Sequence, residues 1–75
     1  MSQVAERRKA EQIDAVAQAI NERLDSGRAE AVERFARRFY AHVPPDDIAS
    51  TAMEPLYGAV LSVWQLYQHR LPGRA

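Results

Sequence analysis

The stretch Leu56–Leu71 reads LYGAVLSVWQLYQHRL, and it decides how the rest of the chain is interpreted. At about 100° per residue, its apolar side chains spread over roughly 220° of a helix circumference. Only a narrow polar strip remains on the other side, made up of Gly58, Ser62, Gln65 and His69. So wide an apolar arc predicts a helix that is covered by more than one neighbour.

Eight residues of this stretch are predicted to form a packing or interface surface. They are Leu56, Tyr57, Gly58, Val60, Leu61, Val63, Trp64 and Tyr67. Aromatic side chains at helical spacing form a core or a protein interface more often than a platform for a base or a ligand, which is the alternative. Glycine inside a helix costs about 1 kcal/mol relative to alanine, so Gly58 predicts the close approach of another backbone.

Two amphipathic segments precede this helix, at about 4–26 and 28–43. Each one places a stripe of apolar side chains at helical spacing. The stripes contain Ala10, Ile13, Val16, Ala17, Ile20 and Leu24 in the first segment, and Val32, Phe35, Ala36, Phe39, Tyr40 and Val43 in the second. Ser26-Gly27 is expected to close the first helix, and Pro44-Pro45 the second.

The fold class predicted from these patterns is all-α. We expect a small antiparallel bundle of three helices (about 4–26, 28–43 and 52–71), with a short helical turn near 45–50, built around the helix Leu56–Leu71. Thr51 and Glu54 have the spacing of a capping box at the start of the last helix, and Leu71-Pro72-Gly73 has the residues that end it. Whether the first helix docks on the others or projects from them stays open.

The length and the charge of the chain limit the functions it can have. The 75 residues allow one domain with a thin core, and the absence of cysteine leaves no disulfide to reinforce it. Ten basic residues balance ten acidic ones, which argues against a nucleic-acid partner. The chain has neither an apolar signal-peptide region nor a membrane-length apolar run, so we expect a cytoplasmic protein with no membrane partner.

The polar residues predict no catalytic, cofactor-binding or metal-binding site in this chain. His42 precedes Asp46 and Asp47, but a histidine at a helix end beside a dipole-stabilising acidic pair explains them better than a metal or acid–base site. The basic runs Arg7-Arg8-Lys9 and Arg34 to Arg38 are interleaved with glutamates. Glu30 with Arg34 and Glu33 with Arg37 have favourable i,i+4 spacing, which indicates a solvated helix face rather than an anion-binding patch.

Several short blocks in the second half of the chain resemble a known family. The run Phe39–Ala49, then Leu56–Gln65, and then Arg70–Ala75 are similar to the N-terminal region of the large bacterial NAD-specific glutamate dehydrogenases. The similarity is best over residues 35–75. Met53-Glu54-Pro55 departs from the family pattern, in which the proline falls earlier in the turn.

The resemblance implies a long, multidomain parent enzyme that converts L-glutamate to 2-oxoglutarate and ammonia while it reduces NAD. The dinucleotide-binding motif and the catalytic lysine of that family lie far downstream, and no residue here matches them. The chain would then be an N-terminal helical segment with a structural, assembly or regulatory role. Its partner would be the remainder of its own polypeptide or a neighbouring subunit.

A second function class is consistent with the residues alone. The chain could be a free-standing helical interaction module that dimerises through its last helix, and self-association is expected in either case because the apolar arc is so wide. A small enzyme or a metal protein is the third possibility, and it has little support from the sequence.

Overall fold

The structure, a computed structural model, describes residues 3–70, which form four helices joined by short connections. Its elements are α1 (Gln3–Arg23), α2 (Ser26–Ala41), α3 (Pro45–Ala49) and α4 (Met53–Arg70). No strand occurs in this range, so the all-α prediction is confirmed. The short helical turn expected near 45–50 is α3. The predicted stop at Leu71-Pro72-Gly73 lies outside the described residues.

Helix α1 is the centre of the fold, because it contacts α2, α3 and α4. Val16 and Ile20 on α1 are 1% and 0% exposed, and they pack with Val32 of α2 and Val60 of α4 in one core cluster. The first helix therefore docks on the others. The expectation that the unit is built around the last helix is wrong, because α1 is the helix that contacts all the others. Small side chains explain the difference, since alanines at buried positions let α1 approach its neighbours closely. They are Ala17, Ala19, Ala29 and Ala36.

Helix α2 runs antiparallel to both α1 and α4. Asn21 of α1 donates to Glu33 of α2 at 2.8 Å, and Asp14 of α1 accepts from Arg37 of α2 at 3.1 Å, so residue numbers rise along one helix as they fall along the other. Tyr40 of α2 bonds Leu56 near the start of α4, whereas Phe35, earlier on α2, contacts Trp64 and Tyr67 further along α4. The antiparallel prediction is therefore confirmed for α1 with α2 and for α2 with α4.

The break between α1 and α2 lies earlier than the glycine predicted. Asp25 has extended backbone angles (φ −59°, ψ 149°), and its carbonyl accepts the first hydrogen bond of α2, from the N–H of Ala29 at 2.6 Å. Ser26 and Gly27 therefore begin α2 instead of closing α1. The chain turns at Asp25 because an extended residue there redirects it and still starts the next helix.

The predicted capping box at Thr51 and Glu54 is wrong. The Thr51 hydroxyl donates backwards to the carbonyl of Asp47 at 2.8 Å, and Glu54 accepts from Arg23 at 2.8 Å. The Arg23 guanidinium also lies 4.7 Å from the centre of the Tyr57 ring. An ion pair between the end of α1 and the start of α4 has replaced the local contact, and hydrogen bonding from Arg23 lowers the pKa of Glu54.

Two polar side chains of α1 hold the connections around α3. Lys9 Nζ donates to the carbonyls of Ala41 and Val43 at 3.2 and 2.8 Å, where α2 ends. A cation at this position satisfies carbonyls that have no partner within the helix and favours the negative end of the helix dipole. The Gln12 amide donates to the carbonyls of Ile48 and Thr51. Lys9 thus serves the fold and is not a solvated contact residue.

The acid–base pairs predicted on α2 are present. Glu33 and Arg37 are bonded at 3.1 Å, whereas Glu30 and Arg34 lie 3.9 Å apart with both side chains largely exposed. Hydrogen bonds from Asn21 and Arg37 lower the pKa of Glu33. Arg37 is additionally paired with Asp14 of α1, so this part of the charged face ties two helices together.

Tyr40 anchors the end of α2 to the start of α4. Its hydroxyl donates to the carbonyl of Leu56 at 2.7 Å, and the residue is 4% exposed. Burial raises the pKa of Tyr40. The bond fixes the distance between two helices whose remaining contacts are apolar.

This tyrosine makes stability sensitive to alkaline pH. The folded chain holds the Tyr40 proton to higher pH than the unfolded chain, whose tyrosine titrates near about 10. Above that pH the unfolded state binds fewer protons, so the free energy of unfolding falls as pH rises. We expect Tyr40→Phe to cost about 1 kcal/mol at neutral pH through the lost hydrogen bond, and to flatten the alkaline decline. Urea unfolding of both proteins between pH 8 and about 11 measures this, and parallel curves would contradict it.

Candidate interaction surface

The eight residues predicted to form the packing or interface surface of α4 lie on two different sides of the helix. Leu56 and Val60 point into the core, at 7% and 0% exposure. Half-buried positions hold Tyr57, Leu61, Val63 and Trp64. Gly58 and Tyr67 are exposed. The structure therefore divides the predicted surface into a part that the chain itself covers and a part that faces outward.

The outward part is concentrated in the second half of α4. Leu66 is 63% exposed and Tyr67 is 46% exposed, although both are large apolar residues on a helix. Val63, one turn before them, is half-buried. The core residues of α4 lie in its first half, so α1 and α2 cover that half well and leave an apolar flank beyond it. We call Val63, Leu66 and Tyr67 the apolar flank of α4.

Gly58 does not make the close contact that its place in the helix suggested. No atom of the described chain outside its own helix backbone and neighbours lies within 4 Å of where a Cβ atom would stand. The reason for a glycine is therefore not found inside residues 3–70. A contact with another molecule stays a prediction.

The open space around Gly58 makes a clear stability prediction. We expect Gly58→Ala to raise the free energy of unfolding by about 0.5–1 kcal/mol, because alanine restricts the unfolded chain and meets no obstacle in the folded one. Thermal or urea unfolding of the isolated chain measures the gain. A loss of stability would show that something in the fold already occupies that space.

Aromatic rings from α2 and α4 form one cluster beside the apolar flank. The centre of the Phe35 ring lies 5.4 Å from that of Trp64 and 5.5 Å from that of Tyr67. Phe39 stacks on Phe35 from the same helix at 5.8 Å. These distances fall in the range in which aromatic pairs contribute about 0.5–1.5 kcal/mol beyond the area they bury. The cluster joins the C-terminal half of α2 to the C-terminal half of α4.

A groove of about 300 Å³ runs over this cluster. Its lining consists of Ala31, Arg34, Phe35, Arg38, Trp64 and Tyr67. The floor is aromatic and the edge carries two guanidinium groups. The Trp64 indole N–H is buried and has no acceptor among the described residues, so one polar group at the groove lacks a partner. We call this feature the aromatic groove.

The residues of the aromatic groove are only partly predictable from the sequence. Helical spacing predicts Trp64 and Tyr67 on the contact surface, but it places Arg34 and Arg38 on a solvated face and Phe35 in the apolar stripe of α2. The groove brings all of these together because α2 and α4 are antiparallel at this point. A signal was present in the sequence, since Phe35 and the two arginines are neighbours on α2, but only the helix pairing shows what they face.

The described residues form no arrangement suited to a metal or a dinucleotide. Within residues 3–70 there is no group of three His, Cys, Asp or Glu side chains that could hold a metal ion. Gly27 and Gly58 lie inside separate helices, which is not the glycine-rich strand–turn–helix that binds a pyrophosphate. In the same range, no helix has both the length and the apolar character needed to cross a membrane.

By its fold and its uncovered surface, the chain is an all-α domain with an exposed aromatic groove. A family model described as "Glutamate dehydrogenase, ACT1 domain" matches residues 35–75, which is more than half of the chain. The chain therefore belongs to the glutamate dehydrogenase ACT1 domain family. The resemblance that residues 35–75 carry to NAD-specific glutamate dehydrogenases is confirmed over the same range.

A curated relative agrees with this assignment. The chain is 47% identical over 49 residues to a protein of Halomonas elongata named NAD-specific glutamate dehydrogenase. The matched region is 65% of this chain and 3% of that protein, so the chain spans a small fraction of its relative's length. No solved structure matches the chain.

Proposed function

We propose that this chain is a non-catalytic helical segment that docks on the remainder of an NAD-specific glutamate dehydrogenase polypeptide or on a neighbouring subunit. The observation that supports the proposal most is the uncovered apolar flank of α4, with Leu66 63% and Tyr67 46% exposed. Apolar residues grouped at one end of a helix indicate an interaction site more often than single exposed ones do. The full-length protein would oxidise L-glutamate to 2-oxoglutarate with NAD in the cytoplasm.

The chemistry is assigned to other parts of that polypeptide. The described residues offer no glycine-rich loop for NAD, and both histidines are exposed, His42 in the connection after α2 and His69 on α4. This segment would instead hold neighbouring parts of the protein in place. It would pack a preformed helical unit against the next part of the protein and so support assembly or the regulation of activity.

A chimaeric enzyme tests this proposal. In the Halomonas elongata enzyme, the segment that this chain matches would be replaced by the corresponding residues of this chain, and a second variant would lack the segment. We expect the chimaera to keep NAD-dependent glutamate oxidation and native size, and the deletion variant to lose assembly. The isolated chain should show no dehydrogenase activity. A deletion variant with full activity and native size, or an active isolated chain, would overturn the proposal.

A further inference from the structure

The aromatic groove has the composition of a protein-binding hot spot. Tryptophan, tyrosine and arginine dominate the residues whose truncation weakens protein interfaces most. All three occur here, on the surface between α2 and α4 and beside the apolar flank. The groove therefore deepens the proposed function, on which this inference rests, by indicating what kind of segment docks.

The charge at the edge of the groove is positive and largely unneutralised. Arg34 has only a long contact with Glu30, at 3.9 Å, with side-chain exposures of 71% and 77%. Arg38 makes no ion pair with another residue of the described range. Arg37, in contrast, is paired with both Asp14 and Glu33 on the side that faces α1. The chain as a whole has zero net charge, so the positive edge is a local feature and favours an acidic partner.

The open shape of the groove, more than its volume, favours a peptide side chain over a separate small molecule. Pockets that bind drug-sized ligands have volumes of about 300–1,000 Å³ and enclose most of the ligand. The aromatic groove has about 300 Å³ and lies open between two helices. One apolar side chain of a peptide would fill its floor, and the rest of the peptide would run along the edge.

The buried indole N–H of Trp64 also indicates a binding site at the aromatic groove. Trp64 Nε1 has no acceptor among the described residues, and a buried donor without a partner costs about 1–3 kcal/mol. Neighbouring groups cover this atom, so a partner oxygen reaches it only if the rings shift. A docking segment with carbonyl or carboxylate oxygens would supply that acceptor.

We propose that the aromatic groove binds an acidic peptide segment of the dehydrogenase polypeptide. An apolar side chain of that segment lies against Trp64 and Tyr67, and its carboxylates accept hydrogen bonds from Arg34 and Arg38. Aromatic burial gives the contact its affinity, and the two arginines set the charge of the segment that is accepted.

Two synthetic peptides test this assignment on the 75-residue chain. Both carry the same central leucine and phenylalanine, surrounded by aspartate and glutamate in one peptide and by lysine in the other. The chain has one tryptophan, and it lies in the groove, so its fluorescence reports binding directly. We expect the acidic peptide to bind at least about tenfold more tightly than the basic one, with a preference that weakens as salt rises from about 50 to about 300 mM.

Charge reversal separates the groove from general electrostatics. The double variant Arg34→Glu/Arg38→Glu should lose the acidic preference, whereas Arg7→Glu/Arg8→Glu, with the same change in charge on the exposed side of α1, should keep it. Circular dichroism should show equal helicity in both variants. Equal binding of the two peptides, no binding of either at millimolar concentration, or an unchanged preference in the groove variant would overturn the inference.

The outcomes also separate this inference from the proposed function. If the chimaeric enzyme requires the segment for assembly while the peptides show no charge preference, docking stands and the acidic occupant is wrong. If sedimentation shows a dimer of the chain that the groove variant abolishes, a second copy occupies the groove in place of the acidic peptide, which likewise overturns the inference.

Discussion

Replacing Ile20 with alanine is expected to lower the free energy of unfolding by about 2–5 kcal/mol, the cost of truncating a buried isoleucine. The residue is 0% exposed and lies on α1, which contacts the other three helices. A chain of this length has only about 4–11 kcal/mol in total, at roughly 0.05–0.15 kcal/mol per residue. The loss is therefore a large part of the total, and the Ile20→Ala chain should unfold at a clearly lower urea concentration than the natural chain.

The matched control for this prediction lies on α4. Leu66→Ala also shortens an aliphatic side chain on a helix, but Leu66 is 63% exposed, so the expected change is within about 0.5 kcal/mol. Urea unfolding followed by circular dichroism compares the two variants. If Leu66→Ala proved as costly as Ile20→Ala, the core would not be centred on α1.

The second large effect is expected when a charge is placed on the apolar flank, and it concerns the assembly of the chimaeric enzyme. In the chimaeric enzyme, Leu66→Asp should abolish the docking of the segment, because it places an unpaired carboxylate in an apolar contact at a cost of several kcal/mol. The isolated chain should keep its fold, since the same side chain is mostly in water there. Size-exclusion chromatography of the chimaera and urea unfolding of the isolated chain measure the two parts separately.

Gln65→Asp is the control for this experiment. It places the same charge one residue earlier on α4, at an exposed position of the polar strip, so the helix-dipole effect is similar while the apolar flank is untouched. We expect this variant to assemble normally. Equal assembly of Leu66→Asp and Gln65→Asp would show that the flank is not a docking surface.

Periodicity predicted the elements well, because the features that define them are local. The stripes on α1, α2 and α4 follow from helical spacing, and Pro44-Pro45 ends α2 close to the expected position. The pair Glu33 and Arg37 forms as its spacing indicates. In each case the interacting residues are four or fewer apart in sequence.

The features that the sequence did not predict depend on contacts between distant residues. Glu54 bonds Arg23, which is 31 residues away, and Lys9 bonds the carbonyl of Val43, which is 34 residues away. Because Glu54 pairs with Arg23, it does not form the expected capping box with Thr51. Because Lys9 bonds a backbone carbonyl, it does not belong to the solvated face predicted for Arg7-Arg8-Lys9. The aromatic groove has the same origin, since Phe35 meets Trp64 only after α2 and α4 have paired.

Thiol labelling at position 66 measures whether the rest of the protein covers the apolar flank of α4, and a single cysteine can be introduced there because the natural chain has none. Leu66→Cys would be labelled in the isolated chain and in the chimaeric enzyme, with Gln65→Cys as the control and peptide mass spectrometry as the readout. Position 66 should react freely in the isolated chain, diluted until sedimentation shows a monomer, and more slowly by about a factor of ten or more in the assembled enzyme, because interface cores pack as densely as protein interiors. Position 65 should react similarly in both. Equal labelling rates at position 66 in the isolated chain and the assembled enzyme would contradict the claim that the apolar flank of α4 is covered by the rest of the protein.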